Sequence, residues 1–277
     1  MNIELAVFDF DGTVGDTFTP HPTAPGIDQA CRQAFTAMFG VDGESFYDGV
    51  GGLKNRSPAE ITEAVIKHGG AAQLLQELRE GLDTFRARLD TCVPAGKGVP
   101  LIWNEEDPYR VATEIFVRSK LQAFRIGEQP DGTIWPNPCG NVLAFIDSLR
   151  QRGVEVGILS SGHDIFIQQC FELWKRACPK LMLTDDDLRG SPVPLNERSK
   201  PSPRLFDLLL ERFGRAVSRR SIVYYGDDPV KDGQLAHNSG IRFGWYNQAG
   251  KTLNQLVQSP YVIFSDWHEL SIEEVVE

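Results

Sequence analysis

From Asn137 onward, helix-like and strand-like segments take turns, and this alternation narrows the fold more than any other feature of the chain. Asn137 to Arg152 has helical apolar spacing and ends at Gly153, and Val154 to Leu159 is a short apolar run. His163 to Arg176 reads as a helix, Lys180 to Leu183 as a strand and Pro201 to Phe213 as a helix. Ser221 to Tyr225 and Ile241 to Trp245 read as strands around a helix at Pro229 to Asn238. Tyr261 to Phe264 reads as a last strand before a closing helix at about Trp267 to Val275. Repeated βα units with short apolar strands imply an α/β fold, a parallel sheet covered by helices on both faces.

One more strand precedes this region. Ile3-Glu4-Leu5-Ala6-Val7-Phe8 is apolar apart from Glu4, and it stops at Asp9-Phe10-Asp11-Gly12-Thr13. In open α/β sheets, ligands sit beyond the carboxyl ends of the strands, so both acids fall where chemistry is usual. Gly12 permits a sharp departure of the backbone, and we expect this bend to turn Asp9 and Asp11 to one site. The plainer reading is a solvated acidic turn.

Between Val14 and about Ile134 the pattern is mainly helical. Ile27 to Phe39, Ala71 to Leu89 and Pro108 to Phe124 read as amphipathic helices. Ser57-Pro58-Ala59-Glu60 has the order of an N-cap, a first-turn proline and a capping-box acid. A Gly- and Pro-rich stretch at Val93 to Pro100 and a turn-rich seam at Gly127 to Gly132 punctuate the block. It reads as a helical insert hung on the loop after the first strand.

The 277 residues are 41% hydrophobic and carry a formal charge of −10, which argues against a nucleic-acid footprint. The five cysteines, at 31, 92, 139, 170 and 178, show no CxxC spacing and read as reduced thiols. The first residues lack a basic segment followed by an apolar one. No apolar run approaches the roughly 20 residues of a membrane span. These features lead us to expect a cytoplasmic protein, monomer or homodimer, with no membrane and no nucleic-acid partner.

Three polar clusters follow other strands. Ser160-Ser161-Gly162 offers hydroxyls and backbone N–H groups suited to a phosphate oxygen, or a simple N-cap. Lys200 precedes a helix and can reach the sheet edge as a point charge, although an exposed lysine is the commoner case. Gly226-Asp227-Asp228-Pro229 with Asp232 gathers hard oxygen ligands of the kind Mg²⁺ takes, or caps a helix.

Taken in order, Asp9-Phe10-Asp11-Gly12-Thr13-Val14 with Asp16-Thr17, Ile158-Leu159-Ser160, Lys200-Pro201-Ser202-Pro203 and Gly226-Asp227-Asp228 with Asp232 resemble four motifs of one family. That family is the haloacid dehalogenase (HAD) superfamily of phosphohydrolases, in its phosphoglycolate phosphatase and β-phosphoglucomutase-like branch. The resemblance implies a Rossmann-like three-layer core over residues 1–14 and 133–277, with a mainly α-helical cap over 15–132. It implies Asp9 as nucleophile forming an aspartyl-phosphate, and Asp11 as acid and base. Mg²⁺ would be held by Asp9, the Asp11 carbonyl and Asp227, and phosphate by Ser160, Ser161 and Lys200. Four residues separate Asp227 from Asp232 where the commonest pattern has three, so either Asp228 or Asp232 is the second acid. The dehalogenase and phosphonatase branches lack an acid at the position of Asp11.

The expected activity is Mg²⁺-dependent removal of phosphate from a small phosphorylated metabolite. The alternatives are a phosphomutase and a non-catalytic phosphate-binding module. Substrate contacts from the cap fall on His21, Lys54 and Arg56, each set against a surface or solvated-loop reading. His163 either borders the pocket or lies in a first helical turn. The run Asp185-Asp186-Asp187 reads as a solvated helix start, and the stripe of Phe166, Phe171, Leu173 and Trp174 as core.

Overall fold

A computed structural model of the chain describes residues 3–39, 71–92, 98–189, 191–250, 252 and 260–270. Among the described residues, six parallel strands form the central sheet: β1 (Leu5–Phe8), β6 (Glu155–Leu159), β7 (Leu181–Leu183), β8 (Ile222–Gly226), β9 (Arg242–Tyr246) and β10 (Val262–Phe264). Their order is β10-β9-β8-β1-β6-β7. Two short antiparallel ribbons lie outside the sheet. In one, β2 (Gly15–Asp16) pairs with β5 (Asn137–Pro138); in the other, β3 (Gly127–Glu128) pairs with β4 (Ile134–Trp135). The chain moves outward from β1 to β6 and β7, then crosses back to β8, β9 and β10. Such a reversal leaves a crevice at the carboxyl ends of the strands.

Side chains of β1 alternate between two cores. Leu5 and Val7 join Phe206, Leu209, Leu235 and Trp245, on the side of α8 (Arg204–Phe213) and α9 (Lys231–Ser239). Ala6 and Phe8 join Phe145, Ile146, Leu149 and Phe171, on the side of α5 (Val142–Gln151) and α6 (Asp164–Leu173). The result is the three-layer parallel sheet that short apolar strands require, since both of their faces must be covered. Each large apolar side chain buried this way contributes about 1.5–3 kcal/mol. Of the expected stripe, Phe166 and Phe171 are core and the half-buried Trp174 packs against it, stacked on Phe10 at 6.0 Å, whereas Leu173 is half-buried outside the core clusters.

The described residues of the intervening segment are mainly helical. It comprises α1 (Ile27–Phe39), α2 (Ala71–Glu80), α3 (Leu82–Leu89) and α4 (Pro108–Ala123). Asp107 caps α4 by accepting from the Arg110 N–H, with Pro108 in the first turn. Phe35 of α1 meets Phe116 of α4 edge-on at 5.3 Å, and the small Ala30, Cys31 and Ala34 complete the buried face of α1. Apolar residues of this segment are continuous with the α5–α6 side of the sheet core. No helix among the described residues is long and apolar enough to cross a membrane.

Several boundaries differ from the sequence expectation. The helix expected over Ala71 to Leu89 breaks at Gly81, whose backbone stands tightly against Phe85. The helix expected from Asn137 starts at Val142, because Asn137 and Pro138 pair with β2. Asp185–Leu188 forms a short helix, α7, with a capping box between Thr184 and Asp187. A 3-10 turn at Trp267–Glu269 stands where the closing helix was expected, and residues 271–277 lie outside the described residues. The helix start at Ser57 to Glu60 also lies outside them.

Candidate active site

The carboxyl ends of β1, β6 and β8 border a cleft of about 530 Å³. Asp9 and Asp11 both line it, while Phe10 between them is buried in the core. The expected bend is not what unites the two acids. Positions two apart on an extended chain share a side, and Gly12, at φ +78°, turns the chain only after them. A methyl on Gly12 would stand 2.4 Å from the Phe18 ring and 3.1 Å from Asp227 Cγ, so this turn packs directly against the end of β8.

Lys200 reaches the same point from the far side of the chain. Its Nζ donates to Asp9 Oδ1 at 2.6 Å and to Asp232 Oδ1 at 2.8 Å. Its burial would disfavour the ammonium, but Asp232 and Asp9 reverse that and raise its pKa. Asp9 is raised well above the ordinary carboxylate range by burial; Lys200 pulls it down, and Asp232, Asp11 and Asp227 push it up. Asp11 is also raised by burial, against a 2.8 Å hydrogen bond from Thr17 Oγ1 and the charges of Lys120 and Lys200.

Asp228 and Asp232, the two candidates for the second acid, are held differently. Asp232, on α9, turns back to Lys200 and also accepts from the Tyr224 hydroxyl at 3.0 Å and from the Asp228 N–H at 3.1 Å. The Asp228 carboxylate instead accepts from the N–H groups of Val230 and Lys231, capping the start of α9. Asp228 stands on the cleft wall, but Asp9, Asp227 and Asp232 have carboxylate oxygens within 4.8 Å of one another.

Ser161 lines the cleft. The Ser160 hydroxyl accepts from the Gly162 N–H at 2.9 Å within its own turn and is not part of that lining. His21 stands away from the cleft, between Thr23 at 2.8 Å and Asp131 at 3.0 Å, and joins the chain after β2 to the β3–β4 ribbon. Lys54 and Arg56 lie outside the described residues.

The acidic run is not a solvated turn. Asp185 is buried and the side chain of Asp186 is shielded, and Arg189 pairs with them at 3.0 and 2.6 Å. Arg189 Nε also stands 2.7 Å from Glu114 Oε2 of α4, an ion pair off the hydrogen-bond line. His163 stands at the N-cap position of α6 without a side-chain cap and meets Asp186 at 3.1 Å; burial lowers its pKa to about 4. Asp185 is pushed up to about 6 by burial. His163, Asp185 and Asp186 also come within metal-binding distance of one another, but the Arg189 guanidinium already pairs with both carboxylates.

Lys120 of α4, absent from the sequence reading, lines the cleft beside Phe18 and Ile27. Its signal was faint: one of two cations, with Arg118, inside the buried run Val111 to Lys120, four positions after Phe116.

The profile of the haloacid dehalogenase-like hydrolases matches residues 3–240. The chain belongs to this family. Comparison with curated proteins finds no match in sequence. Among solved structures, a candidate haloacid dehalogenase-like hydrolase from Bacteroides fragilis has 15% identity and a TM-score of 0.58, covering 97% of this chain and 100% of its own. A candidate phosphoglycolate phosphatase from Lactobacillus delbrueckii subsp. bulgaricus has 21% identity and a TM-score of 0.54, covering 97% of each chain. A dehalogenase solved in complex with an intermediate has 16% identity and a TM-score of 0.52, covering 97% of this chain and 95% of its own. At these identities the likeness is one of fold. The HAD hydrolase framework is thus common to relatives with different chemistry, and the choice between chemistries rests on the site.

Proposed function

We propose that this HAD-family hydrolase is a Mg²⁺-dependent phosphohydrolase acting on a small phosphorylated metabolite through an aspartyl-phosphate. The observation that carries this reading is Asp11, a second carboxyl that lines the cleft beside Asp9, is half-buried, and is raised in pKa. A phosphate ester needs a proton on its departing oxygen; a halide leaves as an anion and needs none.

The cleft lining carries five aspartates against three lysines, so an incoming phosphate dianion meets excess negative charge. One pair of like unit charges at ~4 Å costs about 4 kcal/mol at an effective dielectric of ~20. Hard oxygen donors clustered at Asp9, Asp227 and Asp232 fit Mg²⁺. We assign its binding to Asp9, Asp227 and the Asp11 carbonyl, with Asp232 committed to holding Lys200. When bound, the ion offsets repulsion between nucleophile and phosphate.

In the first step an Asp9 oxygen attacks phosphorus, the bond to the leaving oxygen breaks, and Asp11 protonates that oxygen. In the second, Asp11 takes a proton from water. The water oxygen bonds to phosphorus, and the bond to Asp9 breaks to release inorganic phosphate. Lys200, together with Ser161 and the N–H groups of the turn after β6, stabilises the phosphoryl oxygens. Ser160 holds that turn through Gly162.

We assign the catalytic core to residues 1–14 and 133–277 and a helical cap to 15–132. The helices α1–α4, which make up the regular structure of the described residues between β2 and β3, support this division. Scattered free thiols support the cytoplasm as the compartment.

The test is phosphate release from an aryl phosphate and a panel of phosphometabolites, with Mg²⁺ and with EDTA. We expect release only with Mg²⁺, a loss of roughly 10³-fold or more for Asp9→Asn, and free phosphate rather than an isomerised ester. Full activity of Asp9→Asn, or no release from any ester, overturns the reading.

A further inference from the structure

A line of shielded charges runs from helix α4 to the turn after β6. Glu114 of α4 is fully buried, and its carboxylate meets Arg118 Nε at 2.9 Å and Arg189 Nε at 2.7 Å. Arg189, just past α7, pairs in turn with Asp185 and Asp186. Both acids grip the turn after β6. The Asp185 N–H donates to the Gly162 carbonyl at 3.2 Å. Asp186 Oδ2 accepts from the Asp164 N–H at 2.7 Å, and Asp186 Oδ1 meets His163 Nδ1 at 3.1 Å.

That turn carries Ser160, Ser161 and the N–H groups assigned to the phosphoryl oxygens. It also packs against the proton donor: a methyl on Gly162 would stand 3.3 Å from Asp11 Oδ2 and 3.2 Å from Ser160 Oγ. A shift of the turn is therefore felt at the phosphoryl site and at Asp11 together. Neither Glu114 nor Arg189 lines the cleft, so neither touches a ligand there. Desolvation offsets most of what a buried ion pair gains in stability, and what the pair retains is a fixed geometry. Geometry of that kind matters to a reaction, since a misplacement of about 1 Å from a distant change can cost about 10²-fold.

We propose that Glu114 and Arg189 are positioning residues for phosphoryl transfer: with α4 seated on the core, Glu114 fixes Arg189, and Arg189 fixes the two acids that hold the turn from Ser160 to Asp164. Seating of α4 and the shape of the phosphate-binding turn are then a single state. This rests on the phosphohydrolase reading, and it adds the residues through which the helical segment acts on the core.

The experiment reads the turn itself, by amide hydrogen exchange at Gly162 and Asp164 in the intact protein, followed by NMR. Glu114→Gln is the variant of choice, because it leaves Arg118 with Asp90 and Arg189 with Asp185 and Asp186. We expect both amides to exchange about tenfold faster than in wild type. Inorganic phosphate, titrated by calorimetry with Mg²⁺, should bind about tenfold more weakly. A merely structural Glu114 would lower the melting temperature and leave phosphate affinity unchanged. Arg79→Gln, which removes an exposed pair with Glu105 on the same helical segment, should move neither readout. If Glu114→Gln does not fold, Arg189→Lys carries the same test, since it keeps a cation for Asp185 and Asp186 without the fork that also reaches Glu114. Wild-type exchange at Gly162 and Asp164 in the folded variant overturns the proposal, and so does wild-type phosphate affinity. Faster exchange in the variant, in a protein that releases no phosphate from any ester, separates failure of the phosphohydrolase reading from failure of the Glu114–Arg189 coupling.

Discussion

Lys200 Nζ lies 2.6 Å from Asp9 Oδ1, although 191 positions separate the two residues in the chain. The same ammonium holds Asp232, so one cation binds the end of β1 to the first turn of α9. Removing one partner of a buried ion pair leaves the others uncompensated and typically costs about 3–5 kcal/mol. Lys200→Met is expected to lose stability on that scale in urea denaturation at neutral pH, together with phosphate release. Melting like wild type would contradict the structure.

The assignment of Asp11 makes a leaving-group prediction. Asp11→Asn should slow hydrolysis of ethyl phosphate by about 10²–10⁴-fold. With p-nitrophenyl phosphate the loss should be far smaller, because nitrophenolate departs without a proton. Equal losses on the two esters would remove Asp11 from the role of acid.

Gly226 tests how firmly Asp232 is held. A methyl there would stand 2.3 Å from Asp232 Oδ2, and the carboxylate has no room to swing because Lys200, Tyr224 and the Asp228 N–H grip it. Gly226→Ala should therefore destabilise the fold by about 1–3 kcal/mol in thermal unfolding and lower phosphate release with it. A variant that melts and turns over like wild type would show that Asp232 is not fixed.

His163 gives the protein an acid-side weakness. Its folded pKa, about 4, lies below the ordinary histidine value because the ring is buried. A depressed group contributes stability that is complete above its unfolded pKa, about 6.5, and that fades as pH falls towards its folded pKa. The stability of wild type relative to His163→Gln should thus drop by about 2 kcal/mol between pH 7 and pH 4.5. Urea denaturation of both proteins across that range measures it, and a constant difference would mean that the ring takes up protons equally in both states. Asp185, raised to about 6, works in the opposite sense in both proteins and cancels in the comparison.

Much of this architecture was legible before any coordinates. The alternation after Asn137 set the parallel sheet, because short apolar strands and amphipathic helices can bury their faces in few other ways. Asp9, Asp11, Lys200 and Asp227 were readable because each stands beside a strand end or helix start, where local pattern and position coincide. Partners set by distance in space were not readable. Asp228 and Asp232 are both acids close to Asp227, and only the path of α9 turns Asp232 to Lys200 while Asp228 caps the helix. Asp185 and Asp186 resembled a solvated acidic turn because their burial with Arg189 depends on Glu114 of α4, which comes from a distant part of the chain to pair with the same guanidinium. Lys120 had no local motif, and its meaning comes from a cleft wall that exists only when α4 lies over the sheet edge. Periodicity and turn chemistry are properties of neighbours along the chain; matching of buried charge is a property of neighbours in space, and only the folded molecule determines it.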